Sequence, residues 1–243
     1  LVGGVRRDVP KEQHSELLEV IARVEKESKA VLEAIAGDTT LQARCEKVGV
    51  ITPEDTIALA LLGPTARASG IGIDIRIDHP YAAYPELGCE VMVEQGCDIW
   101  SRVLVRLRET LEAVRLVRDA LRMMSDGPIM ADMRQPIPPG RIGLSSVEAP
   151  RGETHHFVIT GEDQRPYRWK ARAPTFQNLQ GIPVMVAGEY IADVPIGLGS
   201  MDPCFSCTER LETIDVRSGE VRTWSREELQ ALYRLRHGLK EPL

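Results

Sequence analysis

The chain has 243 residues, with 30 Lys and Arg against 36 Asp and Glu and a formal net charge of −6. That length suffices to bury a substantial core in one large or two small domains, and the acidic balance argues against a general nucleic-acid binder, whose affinity comes mainly from phosphate neutralisation. Five cysteines are an odd number and too few for a disulfide scaffold, which favours a reducing compartment, while no run approaches the roughly 20 apolar residues of a membrane-spanning helix and residues 1–8 lack the layout of a signal peptide.

The chain begins without a methionine, inside what reads as a turn at Gly3-Gly4, so an upstream segment is expected, either lost or carried on another polypeptide. After Pro10 a helix is predicted from Lys11 to Ala36, with Leu17, Ile21, Val24, Val31 and Ile35 on one face and Gly37 ending it. Thr52-Pro53-Glu54-Asp55 carries an N-cap residue, a proline at the first helical position and two early acids, so a short helix is expected from there to Leu62. Gly63 to Tyr84 holds too many breakers for a helix; the alternation in Gly72-Ile73-Asp74-Ile75-Arg76-Ile77-Asp78 predicts a short strand within a loop. A second long helix is expected from Asp98 to Met124, buried through Leu104, Leu107, Leu111, Val114 and Leu121. Its Arg102, Arg106, Arg115, Arg118 and Arg122, interleaved with Glu109, Glu112 and Asp119, read as a solvated face.

Pro128 to Gly152 is rich in proline and glycine and reads as an extended connection. Two strands should follow, Glu153 to Thr160 and Arg165 to Ala173, joined by a turn at Gly161-Glu162-Asp163-Gln164. Alternation places Arg168, Lys170 and Arg172 on one face of the second strand and sends His155 and His156 to opposite faces of the first, so both histidines cannot serve one site. Ile182 to Ile196 reads as one short helix, and Ser225 and Glu228 have the spacing of a capping box for a terminal helix running to His237.

The chemistry concentrates at Asp202-Pro203-Cys204-Phe205-Ser206-Cys207. Two thiols three positions apart, after a proline that stiffens the backbone, can converge on one soft metal ion. The spacing alone leaves zinc, an iron–sulfur centre and other soft metals open, and each needs further ligands. Cys45, Cys89 and Cys97 stand singly and read as small core residues.

Three stretches together carry a resemblance: Val147-Glu148-Ala149-Pro150-Arg151-Gly152-Glu153, Arg172-Ala173-Pro174-Thr175-Phe176-Gln177-Asn178-Leu179, and Asp202 through Arg210. They resemble the large, catalytic subunit of membrane-associated, energy-converting nickel–iron hydrogenases, which is homologous to the 49 kDa (D) subunit of respiratory complex I beside the quinone. Gly3 to Asp8, Gly63-Pro64-Thr65-Ala66-Arg67-Ala68-Ser69-Gly70 and Pro80 to Tyr84 are similar to runs shared by both branches.

By this resemblance Cys204 would be a terminal thiolate on nickel and Cys207 a bridge between nickel and an iron bearing diatomic ligands. Asp202 and Arg172 would act as catalytic groups orienting those ligands, Pro174 would line the cofactor, and Glu148 and Arg151 would either serve the cofactor site, with a role in proton transfer, or hold their loop together as a buried ion pair. Arg210 stands where many soluble hydrogenases have histidine. The family's second cysteine pair lies before the Gly-Gly turn and is not in this chain, which is therefore expected to be the C-terminal portion, a single lobe over 1–243. Because the chain continues past Arg210, it would be an uncleaved precursor or a type that keeps its tail.

The implied activity is H2 oxidation or proton reduction, with electrons passing to iron–sulfur clusters on a small-subunit partner and with membrane ion-translocating subunits docked alongside. The location implied is peripheral, on the cytoplasmic face of the membrane. Two alternatives stay open: a complex I-like NADH-quinone oxidoreductase subunit without metal, in an assembly that binds quinone and NAD, and a scaffold that holds structural zinc. The expected architecture is α+β, long packed helices with a small antiparallel sheet near the metal-binding turn.

Overall fold

The computed structural model describes residues 3–132, 136–208, 211–215 and 217–238. They fall into two units, Leu1–Pro203 and Cys204–Leu243. In the first, two long helices, α1 (Lys11–Ala36) and α7 (Ile99–Met123), pack along each other. Between them in sequence run short helices: α2 (Thr39–Cys45), α3 (Pro53–Ala58), α4 (Gly63–Arg67), α5 (Ile75–Asp78) and α6 (Tyr84–Leu87). A three-stranded antiparallel sheet follows, β1 (Ile142–Ala149), β2 (Gly152–Thr160) and β3 (Pro166–Arg172), in that spatial order. Helices α8 (Pro174–Asn178), α9 (Ile182–Val186) and α10 (Val194–Met201) complete the unit. The second unit holds a 3₁₀ turn at Phe205–Cys207, a hairpin of β4 (Leu211–Ile214) and β5 (Val221–Trp224), and α11 (Arg226–His237). The architecture is the α+β class expected.

Local capping chemistry explains the helix starts. Asp98 accepts from the Ser101 backbone N–H and hydroxyl, both at 2.8 Å, and opens α7; Thr52 accepts from the Asp55 N–H and opens α3. Ser225 and Glu228 form the expected capping box of α11. The core beneath the short helices is a cluster of Ile51, Leu61, Met185 and Met201, each such buried side chain contributing about 1.5–3 kcal/mol.

Several expectations are corrected. Residues 72–78 form no strand among the described residues: the Asp74 carboxylate caps the Arg76 N–H at 3.0 Å and starts the helical turn α5, burying Ile75 while Ile73 and Ile77 stay exposed. The proline- and glycine-rich stretch before Gly152 contains a full strand, β1, in register with β2 from Ile142↔Ile159 to Ala149↔Gly152. Ile182 to Ile196 is not one helix, because Gly188 has φ +84° and Pro195 starts α10 anew. On α1, Val24 and Val31 are exposed, and the half-buried face runs through Leu17, Ile21, Glu25, Ser28, Leu32 and Ile35.

The charged face of α7 is the largest revision. Of the expected stripe only Val114 is buried; Ile99, Val105, Leu116, Arg102 and Glu112 are buried with it. The helix is covered on several sides at once, by α1, α4, α6 and α10, so Arg102, Arg106 and Glu109 end in hydrogen bonds or ion pairs to other elements, whereas Arg115, Asp119 and Arg122 form the expected pairs three or four residues apart on a part-exposed face. Arg118 pairs with Glu25 of α1.

Candidate functional site

The three motif stretches of the first unit meet at one backbone contact. Gly63 starts α4 at φ +61° and Gly152 opens β2 at φ +125°. A Cβ on Gly63 would fall 2.4 Å from the Arg151 carbonyl oxygen and 2.5 Å from Gly152 Cα. Asn178, from the third stretch, locks this contact: its Oδ1 accepts from Leu62 N–H at 2.8 Å, and its Nδ2 donates to the carbonyls of Leu62 at 3.2 Å and Arg151 at 3.3 Å. Pro174 is buried at the first turn of α8, where its missing N–H costs no hydrogen bond.

Beside this contact lies a cavity of about 360 Å³, walled by Arg67, Arg76, Arg106, Glu109, Glu148 and Asp202 among others. Its floor is a buried ion cluster. Arg67 donates from Nε to Glu109 at 2.5 Å and from Nη1 to Glu148 at 2.9 Å, and its Nη1 lies 3.5 Å from Asp74 Oδ2. Arg76 grips both oxygens of Asp74, at 2.9 and 2.6 Å. These arginines hold the Asp74 carboxyl below its usual range despite burial. Glu148 moves the other way: burial pushes its carboxyl up, outweighing Arg67, and the charge of Asp74 adds to the rise.

Asp202 also lines the cavity, as the left-handed C-cap of α10 at φ +51°. Aspartate tolerates this conformation better than most residues, and Pro203 blocks continuation of the helix. Arg151 donates to Asp202 twice, from Nε to the carbonyl at 2.7 Å and from Nη2 to Oδ1 at 3.0 Å. From α7, Arg106 reaches the Ser200 carbonyl at 3.1 Å and Asp202 Oδ2 at 3.5 Å, and Arg102 holds Ser200 Oγ at 2.8 Å. Arg102, buried without a touching carboxylate, is pushed down to about 10 by desolvation. The end of α10 is thus clamped by three arginines. Of these, only Arg151 stands among the residues expected from sequence to serve the site.

In the second unit, Cys204 and Cys207 sit at the start and end of one 3₁₀ turn, closed by the Cys207 N–H donating to the Cys204 carbonyl at 3.1 Å. Cys204 Sγ is hydrogen-bonded to Ser206 Oγ at 2.9 Å. Hydrogen bonds with Ser206 and then with the Cys207 side chain push the Cys204 thiol down to about 7, toward the thiolate that metals bind. The pair, half-exposed and soft, fits two positions of a nickel–iron centre. It cannot complete one: among the described residues no group of three or more His, Cys, Asp or Glu could hold a metal ion.

Arg172 is held elsewhere. Its guanidinium donates to the Glu153 carbonyl at 2.7 Å and carboxylate at 2.6 Å, across the sheet from Ser146 and His155, which are themselves hydrogen-bonded at 2.8 Å. His156 takes the other face, accepting from Trp169 Nε1 at 3.1 Å. Cys45 is buried, and Cys89 and Cys97 half-buried. Arg210 lies outside the described residues. Sequence reasoning missed Arg67, Glu109 and Arg106; the only available signal was that Arg67 falls within the glycine-rich run at 63–70.

A family model described as the respiratory-chain NADH dehydrogenase 49 Kd subunit matches residues 1–144 and 135–210. Formate hydrogenlyase subunit 5 of Escherichia coli K12 is 35% identical over 230 residues, 95% of this chain and 40% of its own length. The carbon monoxide-induced hydrogenase of Rhodospirillum rubrum is 37% identical over 210 residues, 86% of this chain and 58% of its own. Among solved structures, a chain of the membrane-bound sulfane sulfur reductase, an archaeal respiratory membrane complex, superposes with a TM-score of 0.77 at 29% identity, covering 83% of this chain and 57% of that one. The chain therefore spans about two fifths to three fifths of the length of these relatives. With the family model matched over most of its length, the chain belongs to the family of the respiratory-chain NADH dehydrogenase 49 Kd subunit, which also embraces large subunits of membrane-bound hydrogenases.

Proposed function

We propose that this chain is part of the hydrogen-activating subunit of a membrane-associated nickel–iron hydrogenase. The observation that carries the reading is the cysteine turn: two thiols on one 3₁₀ turn, hydrogen-bonded to each other, with Cys204 pushed down to about 7. A soft, thiolate-rich donor set is the chemistry that nickel and iron take, and the relatives include hydrogenases.

In this reading Cys204 and Cys207 hold the nickel–iron centre together with a second cysteine pair from outside the chain. That centre, when bound, supplies the splitting of H2 into protons and electrons. The chain's own residues orient and neutralise. Arg151 fixes Asp202 immediately before the cysteine turn in sequence, Arg172 is braced on Glu153, and Pro174 and Glu148 support the walls. Electrons leave to an iron–sulfur partner subunit, and the assembly docks on membrane subunits that move ions. The place proposed for the subunit is peripheral, on the cytoplasmic face; no helix among the described residues is long and apolar enough to cross a membrane.

The family match also favours a second reading, a metal-free subunit of an NADH-quinone oxidoreductase. Gas-exchange measurements on the purified native complex separate the two. Isotope exchange between D2 and water supports the hydrogenase; quinone reduction by NADH with no such exchange supports the second reading and overturns the first.

A further inference from the structure

Three contacts tie the three-stranded sheet to the helices at the end where β1 turns into β2: Gly152 lies on Gly63, Asn178 holds the Arg151 carbonyl, and Arg67 holds Glu148. Toward the other end the strands run out into solvent. Residues 142–145 of β1 and 166–170 of β3 are all exposed.

The register sorts this projecting half into two cross-strand rows, Ile142, Ile159 and Arg168, then Leu144, Phe157 and Lys170. Residues directly opposite one another across an antiparallel ladder share a face, so both rows lie on the same one. Each row is apolar on β1, apolar on β2 and cationic on β3. Ile142 and Leu144 are each 66% exposed, and Phe157 and Ile159 are half-buried. Four apolar side chains thus form a strip bordered along one side by two cations. Neither Arg168 nor Lys170 has an ion-pair partner among the described residues. The carboxylates at the anchored end of this face, Glu148 and Glu153, are taken by Arg67 and Arg172.

We propose that this face is the docking surface for another polypeptide of the native complex, which lays an amphipathic segment across it. The segment's apolar side chains cover the four-residue strip, and Asp or Glu along one edge meets Arg168 and Lys170. Apolar burial supplies the affinity. The cations set the orientation, because a reversed segment would place its acids over hydrocarbon and leave both cations without partners. A second copy of this chain fits poorly: its own face brings two more unpaired cations and no free carboxylate. An anionic lipid surface is opposed by Glu162 and Asp163, exposed in the turn between β2 and β3 at the tip of the sheet. Because only surface chemistry is involved, the contact holds whichever reaction the complex performs.

Zero-length carbodiimide coupling of the purified native complex, followed by peptide mapping, tests the contact. The expected product is an amide between Lys170 Nζ and an Asp or Glu of a different polypeptide, in a segment whose neighbouring residues are apolar. No coupling of Lys170, or coupling to this chain or a second copy of it, overturns the assignment. Leu144→Asp, and separately Arg168→Glu combined with Lys170→Glu, should each speed dissociation of the coupled polypeptide at least about tenfold. These side chains are exposed, so the melting temperature should stay unchanged. Ser145→Asp, one residue along β1 and on the opposite face, should leave the polypeptide bound. Native retention in both face variants overturns the docking surface. So does equal loss in Leu144→Asp and Ser145→Asp, which marks a disrupted strand rather than a lost contact. Acetylation of Lys170 in the complex reads the lipid outcome: protection that appears only when phosphatidylglycerol vesicles are added overturns the protein partner.

Discussion

Arg67 Nη1 donates to Glu148 at 2.9 Å inside the fold, while the same guanidinium serves Glu109 through Nε. Removing this one cation leaves buried carboxylates uncompensated. Arg67→Met is expected to cost about 3–5 kcal/mol, the usual penalty for breaking a buried ion pair from one side. Arg67→Lys should recover only part of this, because an ammonium cannot reproduce the forked donors. Urea unfolding of the purified chain checks both values.

Stability should depend on pH through two carboxyls with opposite signs. The folded Glu148 carboxyl lies above its ordinary value of 4.5. Its protonation thus stabilises the fold below that value, and the contribution is lost as pH rises through the raised one. The folded Asp74 carboxyl lies below its ordinary 3.8. Its contribution is present above 3.8 and is lost as pH falls through the lowered value. Glu148→Gln should flatten the decline in unfolding midpoint on the rising side, and Asp74→Asn the decline on the acid side. Urea midpoints measured at intervals of pH read both slopes.

Gly63 and Gly152 allow the loop bearing Arg151 to lie directly on the start of α4. A Cβ on Gly152 would come within 2.7 Å of Gly63 N, at a φ of +125°. Gly63→Ala and Gly152→Ala should each cost about 2–4 kcal/mol from overlap and backbone strain. Gly143, on β1 with nothing within 4 Å of its added Cβ, is the control: Gly143→Ala should change stability by less than about 1 kcal/mol. Thermal melts of the three variants provide the comparison.

The cysteine turn should be recognisable by its reactivity before any metal is loaded. With its thiol near 7, Cys204 is about half thiolate or more at neutral pH, whereas burial pushes Cys45, Cys89 and Cys97 up. Iodoacetamide at pH 7.5 should therefore label Cys204 ahead of those three. Ser206→Ala, which removes the largest cause of the lowering, should slow that labelling severalfold. Peptide mapping by mass spectrometry reads the order.

What the sequence disclosed was what local chemistry decides. The bounds of α1 and α7, the capping box of α11 and the strands on either side of 161–164 depend on neighbours a few residues away. Strand β1 was hidden because the prolines and glycines that precede it look like a linker until β2 supplies its ladder. The short run at 72–78 alternates like a strand, but an aspartate cap turns it into a helix. The ion cluster was hidden for a related reason: Arg67 finds Glu109 42 residues away and Glu148 81 away, and Arg106 finds Asp202 96 away. Such pairings have no local period to detect. On α7 the same arginines and acids look like a solvated face, and only the packing of α4 and α10 against that helix shows that some of them are buried. The cysteine turn, by contrast, was visible because both thiols belong to one short motif.

The most direct measurement is elemental analysis of the native complex purified from cells grown with nickel, repeated for the Cys204→Ser and Cys207→Ser variants. The account predicts nickel and iron in equal amounts at this subunit, beyond the iron of any iron–sulfur partner, with nickel lost in either variant. A native complex that carries zinc at the turn, or no metal there, would contradict it.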